Sequence, residues 1–271
     1  MAKRAGGKSS GKPGQAIDGK LRILICNDDG IDAPGIKVLE RIARTLSSDV
    51  WVVAPDSEQS AVSHSLTLRR PLRIRKISSR RFAIDGTPTD SVVIALNHII
   101  KDKRPGLLLS GVNRGANLGD DIPYSGTVAA TMEGTLLGIP SIAMSQVFRH
   151  PHPLKWATAE KHAPTLIRDL LAVGWAKDVL LNINFPDVVA PQVNGVEITR
   201  QGRRTLGDLL VDERSDARGV PYYWIGYRRH LGGCAKGSDF AAIADGKISV
   251  TPLQFDRSHA ATHRSLRAAL K

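Results

Sequence analysis

LRILICNDDGIDAPGIKVLERIARTLSSDVWVVA, residues 21 to 54, decides the fold. Leu21 to Asn27 is a short apolar run closed by a turn, the pattern of a strand covered on both faces of a parallel sheet. Ile36, Leu39, Ala43 and Leu46 then recur at spacings of three and four, which marks one face of a helix. Val50 to Ala54 is a second short apolar run. Strand, helix and strand in close succession make a right-handed crossover unit.

The alternation continues downstream. Leu66 to Asp85 reads as strands rich in Arg and Lys, a hairpin arm. Thr87, Pro88 and Asp90 spell a helix start, with a hydroxyl N-cap, a proline in the first turn and an acid three residues on, followed by an apolar run to Ile100. Strands are expected at 106–110, 139–145 and 178–185, with helices at 125–137 and after Lys155. The fold class is therefore α/β, a doubly wound, mostly parallel Rossmann-like sheet with helices on both faces. Three regions are expected. Residues 1–20 hold five glycines and almost no large apolar side chain, the composition of a disordered basic tail. Residues 21–190 form the α/β core. Residues 191–271, with short runs such as PYYWIG and KISVTPL, form a β-rich extension, a second layer packing on the core and on a partner subunit. The sequence contains no internal repeat.

At 271 residues, 42% hydrophobic and 24% charged, the composition excludes collagen, coiled coil and wholesale disorder. Two cysteines, Cys26 and Cys234, are too few for a disulfide framework and are read as inert. No apolar run approaches the roughly 18 residues a membrane span requires, the best stretch being Ser91 to Ile100. The basic start is followed by no apolar targeting segment, so a cytoplasmic location is expected. The formal charge of +12 favours anionic partners: phosphorylated small molecules, nucleic acid or a membrane surface.

In open α/β sheets, ligands bind beyond the carboxyl ends of the strands. The first such loop, NDDGIDAPG at 27–35, lacks the glycine pattern of a dinucleotide site and carries Asp28 and Asp29 instead. Adjacent carboxylates repel a phosphate unless a divalent cation lies between them; the alternative is a capping turn. The second loop, APDSEQSAVSH at 54–64, offers hydroxyls and Asp56. The third, GVNRGANLGDD at 111–121, offers Asn113 and Asn117 among glycines. Ser125, Gly126 and Thr127 open a helix whose free amides suit an anion, though a serine N-cap is the plain alternative. Taken together, the loops form a metal-plus-phosphate constellation on one edge of one sheet.

Five blocks carry a family resemblance: NDDGIDAPGI (27–36), VVAPDSEQSAVSHSLTL (52–68), GTPTDSV (86–92), SGVNRGANLGDDIPYSGTVAATMEG (110–134) and GIPSIAMS (138–145). In order and nearly without break from Leu21 to Ser145, they resemble the SurE family of 5'/3'-nucleotidases, with weaker support from LLNINFP and SVTPL. The resemblance implies a divalent-metal-dependent phosphatase acting on nucleoside 5'-monophosphates, and on 3'-monophosphates in some members. It implies one Mg²⁺ or Mn²⁺ per subunit and assembly as a homodimer or homotetramer. The family's metal ligands fall on Asp28, Asp29, Ser60 and Asn113, with either aspartate the candidate base or nucleophile. Its phosphate-binding positions fall on Ser125, Gly126 and Thr127, with Asn27 and Asn117 alongside. Gln59, Ala61 and Val62 depart from the Arg-Ser-Gly run of many members, which bears on substrate preference and leaves the metal set intact.

The donor chemistry suits this reading, since hard cations that keep open positions for phosphate and water take such oxygen ligands. Two rivals are weaker. AIDGT at 83–87 mimics the strand end of haloacid-dehalogenase phosphatases, but Ala83 stands where the nucleophilic aspartate belongs. A nucleic-acid surface drawing on Arg69, Arg70, Arg73, Arg75, Lys76, Arg80 and Arg81 has only Phe82 for base stacking, so a solvated charged face is expected and no specific nucleic-acid partner. His64, His98, His259 and His263 are read as surface or packing residues.

Overall fold

The computed structural model describes residues 19–149, 151–203, 209–227 and 235–270. The expected tail therefore lies outside the described residues except for Gly19 and Lys20, as does Cys234.

β1 (Ile23–Cys26) is buried at every position, as its unbroken apolar run requires. α1 (Pro34–Leu46) starts on a first-turn proline and buries Ile36, Leu39, Ile42, Ala43 and Leu46. β2 (Val50–Pro55) returns parallel to β1. The predicted hairpin arm is β3 (Ile74–Ser78) with β4 (Arg81–Ile84), antiparallel to each other, but β4 also pairs with β2 and so belongs to the main sheet. β3 is exposed at every position and ends the sheet.

α2 (Pro88–Ile94) has a complete capping box: Thr87 accepts from the Asp90 amide, and the Asp90 carboxylate accepts from the Thr87 amide. Such a cap contributes about 1 kcal/mol. Next come β5 (Leu107–Arg114), α3 (Gly126–Leu136), β6 (Ser141–Gln146), α4 (Trp156–Val173) and β7 (Val179–Phe185). β5 runs well past the predicted end at Ser110. Gly111, at φ +126°, lets it continue: a Cβ there would meet the Met144 carbonyl oxygen at 2.2 Å.

The C-terminal part holds β8 (Val196–Ile198), β9 (Leu209–Ser215), β10 (Pro221–Tyr227), α5 (Asp239–Ala244), β11 (Ile248–Gln254) and α6 (Ala260–Ala269). Here the structure differs from the expected second layer. β11, the KISVTPL run, pairs antiparallel with β7 and covers its otherwise open edge, and β8 follows it, so the core sheet extends past residue 191. β9 and β10 form a separate antiparallel hairpin. Two helices also lie in this region, which is less purely β than its short apolar runs suggest.

The main sheet has nine strands in the order β3-β4-β2-β1-β5-β6-β7-β11-β8. From β1 the chain builds outward through β2 and β4 on one side and through β5, β6 and β7 on the other. The gap between the carboxyl ends of β1 and β5 is thus the switch point at which such sheets bind ligands.

Candidate functional site

Asp28 and Asp29 follow β1 directly, and Asn113 lies near the end of the neighbouring β5, so three of the four predicted ligands flank the switch point. Asp28 is only 6% exposed. The Thr127 hydroxyl donates to its Oδ1, and the Thr127 backbone also hydrogen-bonds its carboxylate. Gly126 makes this approach sterically feasible, because a Cβ there would stand 2.7 Å from the Asp28 Cβ. Burial pushes the Asp28 carboxyl up to about 6, against the Thr127 hydrogen bonds and with the help of the Asp29 charge. Asp29 is also raised by burial and by the Glu58 charge. The Arg114 backbone N–H, which donates to Asp29 Oδ2 at 3.3 Å, opposes that shift, as does the Arg114 charge.

The α3 start was expected to face phosphate through Thr127. In the structure its nearest anion is Asp28, so Thr127 acts first on the acid pair. Ser125 takes the plain reading of an N-cap, its Oγ accepting from the Val128 amide at 3.1 Å.

The β2 loop is tied down at several points. The Gln59 amide donates to the Asp28 carbonyl at 2.7 Å, and Ser63 donates through its amide to the Tyr124 carbonyl and through its hydroxyl to the Pro123 carbonyl. His64 Nε2 lies 2.9 Å from Glu133 Oε2, and its ring packs against Phe255. Ala61 and Ser63 hold left-handed angles, at φ +58° and +56°, a cost of about 1 kcal/mol or more each. The loop thus reaches Asp28 through Gln59. Ser60 itself is exposed, and its hydroxyl donates to Glu58 Oε1 at 2.8 Å instead of facing the acid pair.

Asn113 donates from Nδ2 to the Gly115 carbonyl at 3.1 Å, which leaves its Oδ1 for another donor or a cation. Asn27 is buried and holds the turn through Nδ2 to the Gly30 carbonyl, while its Oδ1 has no partner among the described residues. Asn117 is committed to the frame. Its Nδ2 donates to Ser145 Oγ, its amide donates to Asn184 Oδ1, and its carbonyl accepts from Asn182 and Asn184. These bonds use the Asn117 backbone donor and one of its two side-chain N–H groups, leaving the second for another acceptor.

Glu58, Arg114 and the Asn182–Asn184 pair are the site residues that sequence reasoning missed. Asn182 and Asn184 sit two apart in LLNINF, so both point to one face of β7, a signal that was there to use. Arg114 adjoins Asn113, again a visible neighbour.

No group of three or more His, Cys, Asp or Glu residues able to hold a metal occurs among the described residues. A cation here needs neutral oxygens beside the acid pair. Asn113, whose Nδ2 is taken by Gly115, can offer its Oδ1, beside two carboxyls that burial pushes toward their protonated form. The donor set fits a hard divalent ion.

The family model "Survival protein SurE" matches residues 23–208. The chain is 62% identical to 5'-nucleotidase SurE of Paramagnetospirillum magneticum, over 95% of this chain and 98% of that one. It is 55% identical to 5'-nucleotidase SurE of Parvibaculum lavamentivorans, over 92% and 91%. The crystal structure of the SurE protein from Aquifex aeolicus superposes with a TM-score of 0.80 at 38% identity, covering 92% of this chain and all of that one. On the span of the family match and the identity to these relatives, the chain belongs to the SurE family.

Proposed function

We propose that this protein is a divalent-metal-dependent phosphomonoesterase that hydrolyses nucleoside 5'-monophosphates to nucleoside and phosphate. The observation that carries the reading is the acid pair at the β1 end, with Asp28 buried against the start of α3. A carboxylate pair withdrawn from water there is costly without a counterion, and the relatives are named 5'-nucleotidases.

Asp28, Asp29 and Asn113 would hold the ion, with Ser60 joining when its hydroxyl leaves Glu58. When bound, the ion polarises the phosphoryl group and lowers the pKa of a bound water. The chain's own groups do the rest. Thr127 orients Asp28, and the Arg114 amide fixes one oxygen of Asp29, leaving its other oxygen to accept a proton from the attacking water. The amides and dipole at the α3 start favour negative charge beside Asp28. The bonds of Asn117, Asn182 and Asn184 keep the β5 loop from relaxing, so the geometry is set before substrate arrives. Mg²⁺ or Mn²⁺ suits these oxygens, and one ion per subunit suits the single acid pair. The setting is cytoplasmic, consistent with the sparse cysteines; among the described residues no helix is long and apolar enough to cross a membrane.

Phosphate release from the four common nucleoside 5'-monophosphates, with EDTA and then with Mg²⁺ or Mn²⁺ restored, tests the proposal. Turnover is expected to vanish with chelation and return with metal. Undiminished turnover after exhaustive chelation overturns it.

A further inference from the structure

Arg114 closes β5 one residue after Asn113 and reaches Asp29 through its backbone. Its side chain is exposed, and its guanidinium carbon lies 5.7 Å from the centre of the Phe148 ring. The backbone on either side of Phe148 is tied down: the Val147 amide donates to the Phe185 carbonyl at 3.0 Å, and the Arg149 amide donates to the Asp187 carboxylate at 3.0 Å. A cation over a half-buried ring is worth about 0.5–1 kcal/mol or somewhat more, enough to favour one side-chain position. Arg41, Arg44, Arg70 and Arg81 each have a carboxylate in ion-pair contact. The Arg114 guanidinium has none among the described residues. A cation without an ion-pair partner among the described residues thus rests over Phe148, whose flanking backbone is anchored, at the rim of the acid pair.

We propose that Arg114 is a substrate-binding residue whose guanidinium takes an oxygen of the phosphate group seated beside Asp28 and Asp29. The inference rests on the phosphomonoesterase reading. Two carboxylates and a divalent ion are close to neutral together, and a phosphate dianion then adds two negative charges. A guanidinium at the rim offsets one of them and offers forked N–H donors to the oxygens. The same cation repels a metal ion. Arg114 therefore acts with opposite sign on the two ligands, which a merely structural residue does not.

The test is calorimetric and uses the full chain. Mn²⁺ is titrated into metal-free protein, and then inorganic phosphate, or a nucleoside 5'-monophosphate, into Mn²⁺-loaded protein, for the parent, Arg114→Lys and Arg114→Ala. For Arg114→Ala, phosphate affinity is expected to fall about ten- to a hundredfold, the usual range for a charged hydrogen bond. Mn²⁺ affinity stays equal or tightens as a like charge is removed. Arg114→Lys falls between, and kcat/KM follows phosphate affinity. The inference is overturned if phosphate binding stays within twofold of the parent, or if Mn²⁺ and phosphate affinity fall together. It is also overturned if nucleotide binding weakens while inorganic phosphate does not, which would mark a base contact. A parent that binds neither Mn²⁺ nor phosphate overturns the underlying reading, a result distinct from each of these.

Discussion

Asp28 concentrates the site's internal conflict: a carboxylate beside another carboxylate, withdrawn from water, with hydrogen bonds from Thr127 as partial compensation. Its carboxyl titrates near 6 in the folded protein against 3.8 in an ordinary setting. The folded state therefore binds the proton more tightly than the unfolded chain does. That contribution to stability is complete below about pH 4 and is lost as pH rises through 6, a change of about 3 kcal/mol for a shift of this size. Asp102, held down to about 2 by Arg22, and Asp49 and Glu160, also lowered, act the opposite way: their contribution is present above the ordinary carboxylate range and lost in stronger acid. Metal-free protein is therefore expected to be most stable near pH 5. Its melting temperature in EDTA should drop by roughly 6–12 °C by pH 8, at 2–4 °C per kcal/mol for a chain of this size. Saturating Mn²⁺ favours the charged form and should flatten that fall, as should Asp28→Asn. An EDTA profile that is already flat would count against a buried, uncompensated Asp28.

At the scale of elements, α3 is the piece that brings the acid pair and the anion-favouring helix start together, and Gly126 is the point of contact. Gly126→Ala forces a Cβ to within 2.7 Å of the Asp28 Cβ. Overpacking of this kind costs about 1–3 kcal/mol. Because the displaced group is the proposed ligand, Mn²⁺ affinity is expected to fall as well, whereas Ser125→Ala should cost about 1 kcal/mol of cap energy with a smaller effect on metal. Denaturant melts paired with metal titration separate the two. The elements that build this site differ in how legible they were. β1, α1 and β2 declared themselves because an apolar run and a 3.6-residue period are local properties. The extension of β5 through Gly111 to Arg114 did not, since Gly-Val-Asn reads as a turn until β6 is known to lie alongside. The pairing of β11 with β7 joins strands about sixty residues apart, which no local pattern encodes. A helix start alone does not say which anion it faces; in the structure the Thr127 hydroxyl donates to Asp28, which packs on Gly126.

Taken whole, the molecule carries one feature that a monomer leaves unused. The β9–β10 hairpin exposes Val211, Tyr223, Trp224 and Ile225, at 68, 58, 60 and 71%, and α6 buries none of its residues. Val211, Tyr223 and Ile225 share one face of the hairpin and Trp224 lies on the other; exposed apolar side chains of this kind mark an interaction surface, and we propose that a second copy covers the hairpin in a dimer or tetramer. Val211→Asp combined with Trp224→Ser is expected to lower the mass measured by sedimentation while leaving the metal-dependent activity per subunit largely in place. An unchanged mass would move the interface elsewhere. The sheet edge at β3 poses the reverse problem, that of remaining separate. Its open backbone, with Ile74 and Ile77 partly exposed, is a template on which another strand could assemble. Arg73, Arg75 and Lys76 crowd that edge, and two copies meeting there would press like charges together well inside the screening length of about 8 Å at physiological salt. The barrier against fibre-like stacking is thus an electrical one, supplied partly by the solvent: concentrated salt collapses it without altering a single contact in the fold, and the shelf life of the dissolved protein becomes a property of its buffer.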